Sequence, residues 1–579
     1  MPSPLTEQQH AAVQTTKGPV CIVGGAGTGK THTLIARVAH LIQIEQVVPS
    51  TILVLTFTNK AAYQLNEYLS LNGLPQVHAT TFYGLAAGFL RQHFRQDFKI
   101  LSATEQEDLL RELLYSHERD ELAEVVMDFN NVRQAAACGA PWPPLLSSIK
   151  LDRIGELFQM FRKVLDEKNA IDFTGLLTTL LELWKAEPLT LATCQQRTCT
   201  VMVDDYQDAN SIQIELVRQL TSQHNNLCVL GDPDQTIFSW RGARLDSMDN
   251  FMELYPQATS ITLTKNHRNS ATILAGAESL ISHNEERAEK ILEPTLPGES
   301  PIHLWESRDE WQMNEMMFYL LEQFFRSHHH SENAPRSFGD VALLYRTPAE
   351  GRLLAAYLAQ QNYPFQVSTL PQFWDNKEIR RFLEKLTAVR GIGKFPLDAK
   401  GGTFSEWFRV KLEEFIWHQS IPEKKTLPLM QLLPHAMSFD HFEIPEALSH
   451  FLDASDTAED ADNLVLEDRI NLLTLHASKG LEFPIVMIFG LEEGLLPHKR
   501  TKNDPFWVEE ERRLLYVGMT RAKEQLHLFR TCAIDSEPRE ASRFIVEIGT
   551  THLTYGHLPD KRVTLNLKKE VKKAQMTMF

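Results

Sequence analysis

The stretch "VCIVGGAGTGKTHTLIARVAHLI", residues 20–42, restricts the possible folds more than any other part of the chain. A short apolar strand runs into Gly24, four further residues, then Gly29, Lys30 and Thr31. An amphipathic helix follows, with apolar residues at 34, 35, 38, 41 and 42. This is the Walker A pattern in its strand, loop, helix setting, which belongs to sheets whose strands alternate with helices. Glycines let backbone N–H groups approach phosphate oxygens, and the helix N-terminus adds a favourable partial charge. Gly24, Gly25, Ala26, Gly27, Thr28 and Gly29 form the candidate cradle, Lys30 reaches the outer phosphates, and the Thr31 hydroxyl is suited to ligate Mg2+. A glycine-rich structural turn is the competing reading.

A second apolar run, "VMVDDYQDAN" at 201–210, stops at two adjacent aspartates. Paired carboxylates at a strand end either cap a turn or serve a metal and a water. With a phosphate loop upstream, the second reading assigns Asp204 to the magnesium and Asp205 to the attacking water.

At 579 residues with 43% hydrophobic side chains, the chain has material for several cores. No window approaches the roughly 18 consecutive apolar residues of a membrane span, and "MPSPLTEQQHAAV" lacks the basic and apolar regions of a secretory leader, which predicts a cytoplasmic protein. The net charge of −17 argues against indiscriminate binding of nucleic acid while leaving room for a local groove. Six cysteines show no CxxC pair, so buried or idle thiols are expected, and the histidines at 328–330 lie in a polar run that reads as a solvated loop. Past residue 260, strands and helices alternate again: "DVALLYRT" and a helix over about 349–361, "PFQVS", "RINLLTLHASKG", "FPIVMIFG", then a helix "EEERRLLYVGMTRAKEQ" and the strand "LHLFR". That predicts a second parallel α/β domain. It has no Walker A of its own, and brings Arg268 and Arg521 instead.

Nine stretches now stand together in order: "LTEQQHAAV", "GGAGTGKT", "VLTFTNKAA", "TTFYGLA", "VDDYQDAN", "LGDPDQTIFSWRGA", "LTKNHRNS", "LLTLHASKGLEFPIV" and "EEERRLLYVGMTRA". By these the chain resembles the UvrD, Rep and PcrA branch of superfamily 1 DNA helicases, from residue 5 to about 530. The resemblance implies an α/β fold of two RecA-like P-loop motor domains, parallel sheets flanked by helices, with inserted mostly helical accessory domains. The first motor domain would comprise 1–90 plus 185–262, with a helical insert at 91–184. The second would comprise 263–390 plus 463–558, with a reduced insert at 391–462, and 559–579 would be a basic tail. ATP and Mg2+ are the implied cofactors. Gln9 would read the adenine edge, Arg37 would lie near the base, and His267 would stack where the family has tyrosine. Gln235 would sense the γ-phosphate, Arg268 and Arg521 would act as arginine fingers, and Glu482 would face the ribose. Phe57, Thr58, Asn59, Tyr83, Phe238, Trp240, Arg241 and His476 would line the path of single-stranded DNA. Aromatic stacking, worth about 1–3 kcal/mol per base whatever the sequence, suits such a path. Core packing is the ordinary alternative for Phe57 and Phe238, less so for Trp240 in "SWRG".

Besides His267, three departures qualify this. Asp205 stands where the family has glutamate, one methylene longer, and a misplacement of about 1 Å can slow catalysis around a hundredfold. Tyr83 replaces a usual histidine, and the second insert is short, which bears on unwinding more than on translocation. The end "KKAQMTMF" offers Gln575, Met576, Met578 and Phe579 as a peptide of the kind that docks on a bacterial sliding clamp. The leading expectation is an ATP-dependent translocase or helicase, 3′ to 5′, acting on single-stranded DNA and its junctions with duplex in repair or replication restart, cytoplasmic and associated with the nucleoid. The rivals are a hydrolysis-poor, nucleotide-switched DNA-binding factor and a helicase subunit of a nuclease complex.

Overall fold

A computed structural model describes residues 4–558 apart from 95–97, 142–144, 286, 288–289, 297–299, 327–336, 368–373, 375, 393–401, 423–425, 431, 438, 441, 457–467 and 535–536. The histidines at 328–330 and the tail from 559 therefore lie outside the described residues. The chain divides into two compact units, each built from three segments: Met1–His267, Ala288–Glu293 and Ser368–Val465 in the first, Arg268–Arg287, Pro294–Val367 and Leu466–Phe579 in the second.

The first unit is organised by a six-stranded sheet of β1 (Val20–Gly24), β2 (Ile52–Thr56), β3 (His78–Thr81), β4 (Thr200–Val203), β5 (Leu227–Gly231) and β6 (Thr259–Leu263). Their spatial order is β3-β2-β4-β5-β1-β6, every pairing parallel. Strands buried on both faces read as unbroken apolar runs, and these do. Cys21, Val201, Val203 and Val229 enter one core, while Val20, Ile22, Met202 and Leu230 enter another together with Leu34, Val38 and Leu41 of the helix Lys30–Gln43. Loops at the carboxyl ends of β1, β4 and β5 therefore gather at one edge, the position where open parallel sheets bind ligands.

The described residues of 91–184 are mainly helical, as the periodicity of "EQEDLLRELLYS" and "IGELFQMFRKVLDE" implies, but Lys99–Leu101 and Ala170–Asp172 form a short parallel pair. Asp172 caps the next helix and is held by the buried guanidinium of Arg133 through two hydrogen bonds of 2.6 and 2.8 Å. The segment Ser368–Val465, wider than the expected insert at 391–462, belongs to the first unit and contains an aromatic core that includes Phe382, Phe404, Phe408 and Phe451. Its helix Ile444–Asp456 is tied to the helix Phe82–His93 through Arg91, which bonds Asp453 and lies 2.8 Å from Asp456.

The second unit holds a seven-stranded sheet of β7 (Ile302–Ser307), β8 (Val341–Tyr345), β9 (Phe365–Val367), β10 (Ile470–Thr474), β11 (Phe483–Ile488), β12 (Ala522–Thr531) and β13 (Leu553–Tyr555). The order is β9-β10-β8-β11-β12-β7-β13, again wholly parallel. One sequence expectation needs correction: the helix begun at Pro505 ends at Met519, and "AKEQ" opens β12. A helical period over "EEERRLLYVGM" carried the reading too far, whereas the register Phe483↔Ala522 places these residues in the sheet.

Candidate nucleotide site and nucleic-acid contacts

The loop after β1 is shaped by its glycines. Gly27 and Gly29 have φ of +70° and +78°, a region that favours glycine, and a Cβ at Gly29 would lie 2.6 Å from the Gln9 Nε2. Lys30 Nζ donates to the carbonyls of Gly24 and Gly25 at 2.7 and 3.2 Å, folding back over the loop. Gln9 Nε2 donates to Thr28 O at 3.1 Å, and Arg37, fully buried, donates to Ala12 O. Gln9 thus ties the helix Glu7–Gln14 to the loop, and Arg37 ties the helix that follows the loop to Glu7–Gln14. His267 approaches through its backbone, its N–H donating to Gly27 O at 2.8 Å.

The carboxylates converge on this loop. Asp204, at the end of β4, is buried, and the Thr31 hydroxyl lies 3.5 Å from its Oδ2. Burial first, and then neighbouring Asp205, push the Asp204 carboxyl well above the ordinary carboxylate range, against the pull of Lys30. Asp205 adopts φ of +56°, which aspartate tolerates better than most residues, and accepts a hydrogen bond of 3.0 Å from Gln207 Nε2. Lys30 is held below its usual value by burial, opposed by Asp232, Asp205 and Asp204. Gln235 Nε2 donates to Asp232 Oδ2 at 2.6 Å, and Asp232 N donates to Gln207 Oε1 at 3.0 Å. Lys30, Thr31, Asp204, Asp205 and Gln235 are thus brought into one site.

Sequence reading missed three members of it. Gln207 joins the Asp205 and Asp232 segments. Lys290 reaches the buried Asp232 and lies 2.7 Å from Asp234. Leu292 lies so close to the loop that a Cβ at Gly25 would be 2.5 Å from its Cδ1. A lysine in the mixed run "AEKILEP" carries no local signature. Its spacing from "GDPDQ" becomes meaningful only once the chain is folded.

The residues assigned to a DNA path divide by environment. Phe57 packs 5.2 Å from Phe82, Tyr83 stands edge-on to Phe173, and both lean on the sheet core. The Thr58 hydroxyl accepts from Ala61 N as the cap of the helix Asn59–Leu71, and Asn59 Nδ2 donates to Ala454 O at 3.1 Å. Phe238 and Trp240 are half-buried, 6.3 Å apart, and the exposed guanidinium of Arg241 lies 4.5 Å from the Trp240 ring centroid. In that trio two half-buried rings and an exposed guanidinium lie side by side, the guanidinium over both rings.

In the second unit Arg268 and Arg521 occupy one neighbourhood. Arg268 Nε donates to Glu482 Oε2 at 2.7 Å, and Arg268 also reaches Thr520 O. Arg521 is buried, donating to Val517 O, Leu481 O and the Thr520 hydroxyl. Glu482 is shared with Lys523 at 2.6 Å, and His476 begins a short 3-10 turn after β10.

A parallel sheet with a Walker A loop, an acidic strand end and a glutamine turn along one edge defines a phosphate-loop nucleotide-binding fold. The chain belongs to the UvrD-like helicase family: the UvrD/REP helicase N-terminal domain matches residues 5–256, and the UvrD-like helicase C-terminal domain matches 261–390 and 408–531. Among similar proteins are the ATP-dependent DNA helicases PcrA of Staphylococcus epidermidis, 28% identical over 98% of this chain and 89% of that protein, and of Staphylococcus aureus Mu50, 28% identical over 97% and 88%.

Proposed function

We propose that the chain is a DNA-dependent ATPase that moves 3′ to 5′ along single-stranded DNA and opens duplex at junctions, serving repair or replication restart in a bacterial cytoplasm. The observation that carries the reading is the convergence of Lys30, Thr31, Asp204, Asp205 and Gln235 on a helix N-terminus left open by Gly29. Lys30 would orient the outer phosphates, Asp205 would take the proton of the attacking water, and Gln235 would register the γ-phosphate. By resemblance, Arg268 and Arg521 would offset charge on the transferring phosphoryl group, and His267 and Glu482 would meet the base and ribose. Magnesium fits the donor set: one buried carboxylate at Asp204 beside one hydroxyl at Thr31 suits a cation that keeps several waters and binds through few protein ligands. When bound it would supply charge neutralisation at the phosphates.

Trp240, Phe238 and Arg241 would line the path of single-stranded DNA, the two rings stacking on bases, with Thr58, Asn59 and His476 along the same path. The PcrA relatives, named as ATP-dependent DNA helicases, support the same reading. A second reading, a nucleotide-switched DNA-binding factor, draws on the shorter Asp205 and its bond to Gln207. Steady-state ATP hydrolysis with and without a single-stranded oligonucleotide, at two salt concentrations because phosphate contacts are screened, separates them. Strong stimulation by DNA upholds the motor, whereas binding of both ligands without turnover selects the switch. Gln575, Met576, Met578 and Phe579, outside the described residues, are proposed to dock on the sliding clamp. Capture by immobilised clamp that survives deletion of 575–579 overturns that assignment.

A further inference from the structure

The segment Ala288–Glu293 belongs to the first unit although the chain on both sides of it belongs to the second. It is held there by its backbone, Glu293 N donating to Thr264 O at 2.8 Å, and by two side chains. Leu292 covers the loop at Gly25, and Lys290 is buried with its ammonium on Asp232 and 2.7 Å from Asp234. Burying a lysine is unfavourable unless its charge is compensated, and two carboxylates do so here. They are not incidental ones. Asp232 is fully buried, and its second oxygen accepts the 2.6 Å hydrogen bond from Gln235 Nε2. Its own N–H donates to Gln207 Oε1, and Gln207 Nε2 donates to Asp205. Lys290 therefore stands at the head of a chain of contacts that ends at the two side chains proposed to meet the γ-phosphate and the water.

We propose that Lys290 is a positioning residue for nucleotide hydrolysis, fixing Asp232 and through it the orientation of Gln235 and Gln207. The inference rests on the ATPase reading above. A carboxylate without its cation in this buried setting would turn toward other donors, Lys30 among them, and Gln235 would lose its anchor. The expected signature is a loss of turnover with little loss of nucleotide binding, because Lys290 touches the anchor rather than the Walker loop's phosphate-facing amides.

The test compares the unaltered chain with Lys290→Met, which keeps the stem and removes the charge, and Lys290→Arg, which can still bridge both aspartates. Displacements of the order of 1 Å lower rates by up to about a hundredfold, so Lys290→Met is expected to reduce kcat at saturating ATP at least about tenfold. The Kd of a fluorescent ATP analogue should stay within about threefold of the unaltered chain, a split that marks an interaction serving turnover rather than binding. Lys290→Arg should recover most of the rate. In an Asp232→Asn background Lys290→Met should add little further loss. Should Lys290→Met fail to fold, Lys290→Gln, which removes the charge and is too short to bridge both aspartates but keeps a polar head in the buried site, is expected to show the same split. An unchanged kcat in either folded variant, or a rate loss explained wholly by lost nucleotide binding, overturns the proposal. If the unaltered chain itself shows no turnover, the ATPase reading fails instead.

Discussion

The two sheets are built alike and end differently. In the first, β1 gives way to glycines, and the following helix starts at Gly29 with no side chain capping it. In the second, β8 gives way to Arg346 and Thr347, and the helix Pro348–Gln360 caps itself: Glu350 Oε2 accepts from Thr347 N and Oγ1 at 2.8 and 2.9 Å. The amides that the first unit leaves available to phosphate are answered in the second by the protein's own carboxylate. Glu350 is enclosed so closely that a Cβ on Gly490 would meet its Oε1 at 2.3 Å, and burial raises its carboxyl above the ordinary range. Shared architecture therefore does not confer shared chemistry. What decides it is whether a helix N-terminus is left open or filled.

The largest expected effect removes the open end's cation. Lys30→Ala should lower ATP turnover by about a hundredfold or more, in the range seen when one preorganised charge-stabilising contact is lost, while DNA binding persists. Retained turnover would mean that the first sheet is not the nucleotide-bearing one. Next, Trp240→Ala should weaken single-stranded DNA binding by about 1–3 kcal/mol, the range for loss of a stacking platform, whereas Phe57→Ala should lower thermal stability more than DNA affinity. Equal effects of the two on DNA would erase the distinction between the half-buried ring beside Arg241 and the ring packed on Phe82.

A pH series separates the units. Burial lowers His527 in the second unit to about 3 and His435 in the first to about 4, against about 6.5 in an unfolded chain. His527 stays neutral while its Nδ1 accepts from Trp305 Nε1 at 3.2 Å. A lowered folded value gives stability that is complete above pH 6.5 and is lost as pH falls toward the folded value, by about 1.4 kcal/mol per pH unit for each histidine. Urea midpoints measured from pH 7 to 4.5 should fall, and His527→Gln should flatten the slope of the second unit's transition alone. A pH-independent midpoint would contradict the burial of both rings. The smallest effect tests the filled end. Glu350→Ala should cost about 1 kcal/mol of stability as a lost cap. In a Lys30→Ala background it should not create ATP binding, and if it does, an open helix end by itself is sufficient.

Much of this was legible beforehand because it is local. The Walker loop, the strand delivering Asp204, and the alternating elements around "DVALLYRT" and "FPIVMIFG" are fixed by periods and glycines within a few residues. Lys290 was not legible because its partner Asp232 lies far away in sequence and nothing in "AEKILEP" marks it. Phe57 and Trp240 look equivalent as letters, and only packing against Phe82 or beside Arg241 distinguishes them. The insert's attachment to the first unit likewise rests on distant contacts, Arg91 with Asp453 and Asp456 and Asn59 with Ala454 O. Those contacts join residues that sequence order assigns to different halves.

The strand order also dictates a timetable for synthesis. The first sheet is complete once β6 has left the ribosome, since all six of its strands precede residue 264. The second sheet cannot close so early. β8 pairs with β10 and β11 on either side, and β7 pairs with β12 and β13, so Ile302 waits for Leu526 and Leu553. Until then β7, β8 and β9 are held with edges unpaired while the whole insert is translated after them. In the first sheet β1 likewise waits for β5, so each half of the chain carries a strand with unpaired edges across a translated insert, and a pause within either insert prolongs that exposure.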